Sequence, residues 1–273
     1  MSASSAFSIL AQPNVRSWVT ARFCSGTGVS MLRATAIWDV YASTGSSVNV
    51  GLLGLLSFVP APVLALTGGV VADRADRKRI VLLTQAVELA CAVAFTLSRL
   101  SNQLPMWLLF ALYILNGAAI AFESPARQAV LPSLVQREDL GRAVTVMSTA
   151  HALSFVSGPA IAGLLLASFG TGYAYGGAAL LLAIAWSFVA RVSLVHTPSI
   201  EAKPSPLASL LEGFRFLRHN KLVLGAMTLD LFAVIFGGAT AMLPVYADKI
   251  LNVGPRGYGN LTASLDVGAV MTS

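Results

Sequence analysis

Gly68-Gly-Val-Val-Ala-Asp73-Arg74-Ala-Asp76-Arg77-Lys78-Arg79 separates two long apolar runs, and its reading decides the fold. Six of the seven residues from Asp73 to Arg79 are charged, a density that cannot lie in hydrocarbon. The flanking runs, Gly51 to Ala72 and Ile80 to Leu97, are each about long enough to cross a bilayer core of ~30 Å at ~1.5 Å per helical residue. The stretch is therefore a tight charged turn between two membrane helices.

Outward from this turn the rest of the chain has the same character. Of its 273 residues 56% are hydrophobic and 11% charged, against about 25% charged in a soluble domain. This predicts an all-α polytopic membrane protein with the lipid bilayer as its first partner. The net charge of +6 does not call for a nucleic-acid partner, because Lys and Arg are distributed as membrane topology requires. Cys24 and Cys91 fall inside expected spans and read as small buried apolar side chains. The residues before Arg16 lack the pattern of a signal peptide, so the first span is expected to be its own insertion signal.

The expected spans are Trp18 to Tyr41, Val50 to Ala72, Ile80 to Leu97, Met106 to Phe122, Ala143 to Phe169 and Tyr173 to Val192. The first carries Arg22, Arg33 and Asp39 and should face protein or water; Pro60 and Pro62 should kink the second. Glu123 to Arg142, with Pro125 and Pro132, reads as a polar loop with short interfacial helical pieces. His196 to Pro206 is a polar, proline-bearing linker, followed by an amphipathic surface helix carrying Leu207, Leu210, Leu211, Phe214 and Leu217 on one face. A seventh span runs from Leu222 to Tyr246, and an eighth begins at Tyr258 but stops short of a crossing, which reads as truncation rather than a re-entrant end. The expected division is a six-span bundle over 1–195, a cytoplasmic linker over 196–221 and the start of a second bundle over 222–273.

Sidedness follows from a count. With a cytoplasmic N-terminus, the inner segments hold fourteen of the eighteen Lys and Arg: Arg16, Arg22, Arg74, Arg77, Lys78, Arg79, Arg127, Arg137, Arg142, Arg191, Lys203, Arg215, Arg218 and Lys221. The outer side holds Arg99, Lys249 and Arg256, and Arg33 lies within a span. That asymmetry is the positive-inside pattern. Trp18 is expected at the inner end of its span, and Trp38, Tyr41, Trp107 and Tyr173 near outer ends.

No soluble-enzyme constellation is present. His151, His196 and His219 have no metal-ligand spacing, and no P-loop, GxSxG or GxGxxG stands in a fitting context. No enzyme activity, metal or cofactor is implied, and any transport would draw on a gradient or a partner.

Gly69-x-x-x-Asp73-Arg74-x-Asp76-Arg77-Lys78 resembles the cytoplasmic signature of the major facilitator superfamily, departing from it at Asp76, where many members have Gly. Pro125 to Val135 is similar to the enterobactin-exporter-like branch of efflux carriers. The resemblance implies that Arg77 is held by the span-four carboxylate Glu123, and that Asp73 latches the opposite half when the carrier opens outward. A plain positive-inside anchor would account for the basic residues but not for the aspartates. Gly158-Pro159-Ala-Ile-Ala-Gly163 resembles the end of the superfamily's antiporter signature, whose other glycine positions are Thr145, Ser154 and Ala162 here; a simple packing seam is the alternative. Asn116-Gly117 fits a span-four pattern whose arginine is replaced by Tyr113, so that arginine's proton-relay role does not carry over.

Charges inside spans each cost at least about 2.5 kcal/mol at a helix centre and need a reason. Arg33 and Glu88 lie at comparable counted depths and allow a pair, with Glu88 either structural or coupling; His151 reads as a hydrogen-bonded interior residue. The resemblance places spans one, four and seven around a central cavity, which makes Arg33, Asp39, Tyr113, Asn116 and Asp230 the cavity candidates. The expected function is proton-coupled efflux of a small molecule by a monomeric secondary transporter in the plasma (bacterial inner) membrane. The alternative is a non-transporting fragment or degenerate carrier acting as sensor or assembly partner. The candidate charges allow anionic, zwitterionic or cationic substrates.

Overall fold

The computed structural model describes residues 7–58, 60, 64, 76–101, 104–193, 215, 218–236 and 242–272. The long elements among them are all helices: α1 (Pro13–Thr44), α2 (Ser47–Phe58), α3 (Arg77–Leu100), α4 (Met106–Val130), α5 (Leu140–Phe169), α6 (Thr171–Arg191), α7 (Lys221–Phe236) and α8 (Gly254–Thr272). Short helical turns occupy Phe7–Ala11, Leu131–Ser133, Arg137–Asp139, Leu243–Val245 and Tyr246–Ile250. Four stretches, Arg77–Leu100, Met106–Ser133, Arg137–Phe169 and Thr171–Arg191, are long and apolar enough to cross a membrane. Leu83, Leu97 and Leu180 on them are more than 60% exposed. In water that would be costly; against lipid tails it is the ordinary outer surface of a span.

α1 carries Arg16, Arg22, Arg33 and Asp39 along its length, and packing explains how so polar a helix is accommodated. It lies between α5 and α6, and its Gly26-Thr27-Gly28 run lets both backbones come close. A Cβ on Gly28 would sit 3.2 Å from the Ala178 carbonyl oxygen of α6, and one on Gly158 of α5 would sit 2.9 Å from both Met31 N and Thr27 O. Thr27 Oγ1 and Ser157 Oγ share a hydrogen bond of 3.1 Å across the same seam. Pro13 opens α1 and Gly45, at φ +63°, closes it; that left-handed conformation suits glycine. The connection to α2 is therefore shorter than the turn expected over Ala42 to Asn49.

α3 packs on α4 and α6, α2 contacts α1 and α4, and α8 lies along α5. The larger apolar core joins Met31, Tyr41, Phe95, Tyr113 and Tyr175, with the Phe95 and Tyr175 rings stacked at 4.8 Å. A second core near the α3 N-terminus holds Trp18, Ile80, Val81, Ala126, Val130 and Val189. Trp18 is thus buried in that core rather than standing in an interfacial belt.

The expected loop over Glu123 to Arg142 is also corrected, because α4 continues through Pro125 to Val130. Proline in a helix removes one backbone donor, but Ala126, Arg127 and Val130 are buried on the same face and hold the last turns in place. α7 covers Lys221–Phe236 of the expected seventh span. The expected second span beyond Phe58, except Pro60 and Leu64, and the amphipathic face over 207–214 and Leu217 lie outside the described residues.

Candidate transport site

The charged stretch at the start of α3 delivers Arg77 and Lys78 to the ends of other helices. Asp76 is the N-cap of α3, its carboxylate accepting from Lys78 N at 2.9 Å and Arg79 N at 3.4 Å. An aspartate there satisfies two free backbone donors and sits at the positive helix end, which gives the departure from glycine at this position a local role. Arg77 Nη1 donates to the Ala129 carbonyl in the last turn of α4 at 3.0 Å, and Lys78 Nζ donates to the Ala190 carbonyl in the last turn of α6 at 2.9 Å. Those carbonyls have no partner within their own helices, so cations are well placed on them. Gly69, Asp73 and Arg74 lie outside the described residues.

Arg77 is accordingly not on Glu123 in this conformer. Glu123 is held by Arg127, one turn later on the same face, and by Gln85 Nε2 at 3.1 Å. The extension of α4 past Pro125 produces this pairing, since it brings Arg127 to the i+4 position of a continuous helix. Arg127 also donates to Ser25 Oγ of α1 at 3.0 Å and lies over the Trp18 ring, 5.9 Å from its centroid.

One turn deeper in α3 is Glu88, fully buried, with neither carboxylate oxygen hydrogen-bonded among the described residues. The charges that act on it are those of Arg127 and Arg22. It does not pair with Arg33. Counted from the helix starts, Glu88 lies about 16 Å and Arg22 about 14 Å along their axes, but Arg33 about 30 Å. Arg22 Nη2 donates to His151 Nδ1 at 2.7 Å; because guanidinium only donates, this nitrogen of His151 is the acceptor and the ring proton is on Nε2. His151 is thus an interior hydrogen-bonded residue, packed edge-on to Phe155 with centroids 4.7 Å apart.

Of the expected cavity residues, Arg33 is exposed while Tyr113 and Asn116 are nearly buried on one face of α4. The Arg33 charge reaches Tyr113, Tyr258 and Asp266, the last two on α8. Asn116 Nδ2 has no hydrogen-bond partner among the described residues. These groups together define a polar face between α1, α4 and α8. Asp39 is elsewhere: it is 3% exposed, takes two hydrogen bonds from Arg99 (2.9 Å from Nε to Oδ2) and accepts from Tyr175 Oη at 3.1 Å. One α1 turn and a half beyond Arg33 is enough to turn it from the α8 side toward α3 and α6. The side chain of Asp230, within α7, lies outside the described residues.

The glycines of the span-five motif face two different neighbours. Gly158 meets α1, whereas Gly163 meets α8: a Cβ on Gly163 would sit 2.8 Å from Gly259 Cα and 3.0 Å from the Pro255 carbonyl oxygen. A Cβ on Gly259 would in turn sit 2.6 Å from the Pro159 carbonyl oxygen. Two further contacts tie this later segment to α1, Tyr258 Oη donating to Ala34 O at 3.2 Å and Tyr41 Oη donating to Asp248 Oδ2 at 3.3 Å. Tyr258 and Trp38 pack with centroids 5.4 Å apart.

Sequence reasoning missed Arg99, Tyr175, Gly259 and Asp266 as partners, and of these only a Gly-rich start to α8 was visible. The Glu123-x-x-x-Arg127 spacing was a readable helical pair, obscured by the proline between them.

An all-α bundle of membrane-length helices, with a charged turn clamping helix ends and small-residue seams, is the architecture of the major facilitator superfamily. Residues 4–273 match the family described as transmembrane secretion effector, and the chain belongs to that family. It is 32% identical over 266 residues to the enterobactin exporter EntS of Escherichia coli O1:K1 / APEC, an alignment covering 95% of this chain and 62% of the relative. The enterobactin exporters EntS of Escherichia coli O139:H28 (strain E24377A / ETEC) and O157:H7 (strain EC4115 / EHEC) match to the same extent. The chain thus spans 62% of the length of these curated relatives.

Proposed function

We propose that the protein is a secondary active efflux transporter of the plasma (bacterial inner) membrane, exporting a small molecule against proton entry by alternating access. The observation that carries the reading is Arg33, an exposed guanidinium more than half-way along a helix packed inside the bundle. Such a charge is tolerated at membrane depth where it faces a water-filled cavity, and Tyr113, Asn116 and Asp266 would line that cavity beside it, with Asp230 as the candidate on α7. The relatives' printed function, export of enterobactin, supports outward movement of a small molecule. On this reading residues 1–195 form one moving bundle, 196–221 link it to the next, and 222–273 begin the second.

In alternating access each gate closes while the other opens. The Tyr41–Asp248 and Trp38–Tyr258 contacts join the two parts near the C-terminal end of α1, which with a cytoplasmic N-terminus is the outer side and suits a conformer closed outward. Gly69, Asp73, Arg74, Arg77, Lys78 and Glu123 would then form the cytoplasmic gate, and Gly158, Pro159 and Gly163 the antiporter-like hinge seam. Efflux from proteoliposomes containing the full-length carrier, with and without a proton gradient, tests this. Gradient-dependent efflux that Arg33→Ala removes is expected; efflux indifferent to the gradient would end the proton-coupled reading. Asp73→Asn and Arg77→Ala should each abolish transport while leaving membrane insertion intact.

A further inference from the structure

Glu88 is the one acid among the described residues that is fully buried and without a hydrogen-bond partner on either oxygen. Its surroundings are crowded with polar groups that are already engaged. From α1, Arg22 is committed to His151 of α5; from α4, Arg127 is committed to Glu123 and Ser25. From α3 itself, Gln85 donates to Glu123, and Cys91 follows Glu88 by three residues. The ionisable groups of α6 are placed elsewhere, Tyr175 on Asp39 and Arg191 over the Phe188 ring, while Tyr173 lies at the other end of the helix. At the same time Arg127 Nη1 and Gln85 Oε1 have no partner among the described residues.

An ionised carboxylate deep in a bundle without a hydrogen bond is strongly disfavoured, and binding a proton removes its charge. We propose that Glu88 is the coupling-ion site of this carrier and that the ion it binds is a proton, an assignment that rests on the proton-coupled reading above. A metal cation is a poor occupant, because the charges that act on the site are those of Arg127 and Arg22 and a cation would be repelled by both. A proton instead forms a covalent O–H bond: the carboxylate takes it from hydronium and releases water, and the reverse step returns it to water on the other side. The free Nη1 of Arg127 gives this step a mechanical consequence. With Glu88 neutral, Arg127 stays on Glu123, as in this conformer. With Glu88 ionised, the same guanidinium is drawn toward a second carboxylate, which loosens Glu123 and the end of α4 that Arg77 clamps.

The test uses the full-length carrier in proteoliposomes and Glu88→Gln, which keeps the shape but cannot release a proton. Two transport modes are compared: efflux driven by an imposed proton gradient, and one-for-one substrate exchange without a gradient. Glu88→Gln is expected to lose gradient-driven efflux and its pH dependence while exchange persists, and Glu88→Asp to regain part of the driven mode. Infrared difference spectra across a pH titration should contain a carboxylic-acid carbonyl band that disappears in Glu88→Gln. Wild-type-like, pH-dependent driven efflux in Glu88→Gln would overturn the assignment, as would a spectrum unchanged by the substitution. If the wild type itself ignores the gradient, it is the proton-coupled reading that fails, so the two failures are distinguishable. A Glu88→Gln protein that fails to insert is replaced by Glu88→Asp, for which a shifted pH profile supports the site and an unshifted one overturns it.

Discussion

The Asp39–Arg99 pair offers the sharpest energetic test of the packing described above. Asp39 is 3% exposed and Arg99 23% exposed, so the two partners differ in what their loss leaves behind. Arg99→Leu strands a buried carboxylate whose remaining donors are the neutral hydroxyls of Tyr175 and Ser43. Breaking a buried pair in this way costs about 3 to 5 kcal/mol. Asp39→Leu leaves a guanidinium near the end of α3 that still reaches Ser43 Oγ, 2.8 Å away, and can extend toward the membrane surface. Its cost is that of an under-satisfied donor, about 1 to 3 kcal/mol. The double substitution removes both charges, and should be less destabilising than the sum of the singles by about 0.5 to 3 kcal/mol. Unfolding free energies in mixed detergent and lipid micelles, followed by tryptophan fluorescence, give all four corners of the cycle. Equal costs for the two single substitutions, or strict additivity in the double, would refute this account of the pair.

Other substitutions probe separate features. Gly163→Leu pushes a side chain into the α8 backbone and should lower stability by about 1 to 3 kcal/mol, whereas Gly51→Leu, whose Cβ would have no atom of the described residues within 4 Å, should leave the thermal unfolding midpoint unchanged. Asp76→Ala removes the α3 cap and should cost about 1 kcal/mol, read from the same midpoint, with Asp76→Asn restoring most of it. Cysteines placed at Ser47 and Arg137 should be labelled by a membrane-impermeant thiol reagent from opposite sides of intact cells, Ser47 from outside; labelling of both from one side would reverse or remove the proposed orientation.

The third to sixth spans were legible because bilayer crossing needs long apolar runs, and those runs survive any arrangement of neighbours. α3 exceeds its expected span by three residues at each end, while α5 and α6 start three and two residues early and end within one residue of the expected position. α4 differed because Pro125 was read as a stop, although a proline inside a helix whose face is buried removes only one hydrogen bond. The partners of charges were not legible. Arg33 lies fifteen residues into its expected span and Glu88 only eight into its own, so reading their depths as comparable passed over about 10 Å of helical rise; measured from the observed starts at Pro13 and Arg77, it is Arg22 that stands level with Glu88. The face of α1 on which Asp39 lies depended on where α6 sits, and that came from Gly28 meeting Ala178, a contact no single helix announces. The family motifs were readable as motifs, while what Arg77 and Lys78 touch was set by the ends of α4 and α6.

The bonds from Arg77 to Ala129 and from Lys78 to Ala190 also bear on how the protein is made. The carbonyl that Lys78 binds belongs to a residue 112 positions later in the chain, so during synthesis this lysine must wait with its charge free. In that interval, on the proposed orientation, it would do the other task of a basic residue beside a span, holding its end of the helix in the cytoplasm as the following segments thread across. Only when α6 has been delivered does the same ammonium become a fastener, drawing the ends of α3 and α6 together. A replacement by an uncharged residue at position 78 should therefore produce two populations, misoriented chains and correctly oriented but splayed ones, and the share of each would reveal which of the two tasks comes first.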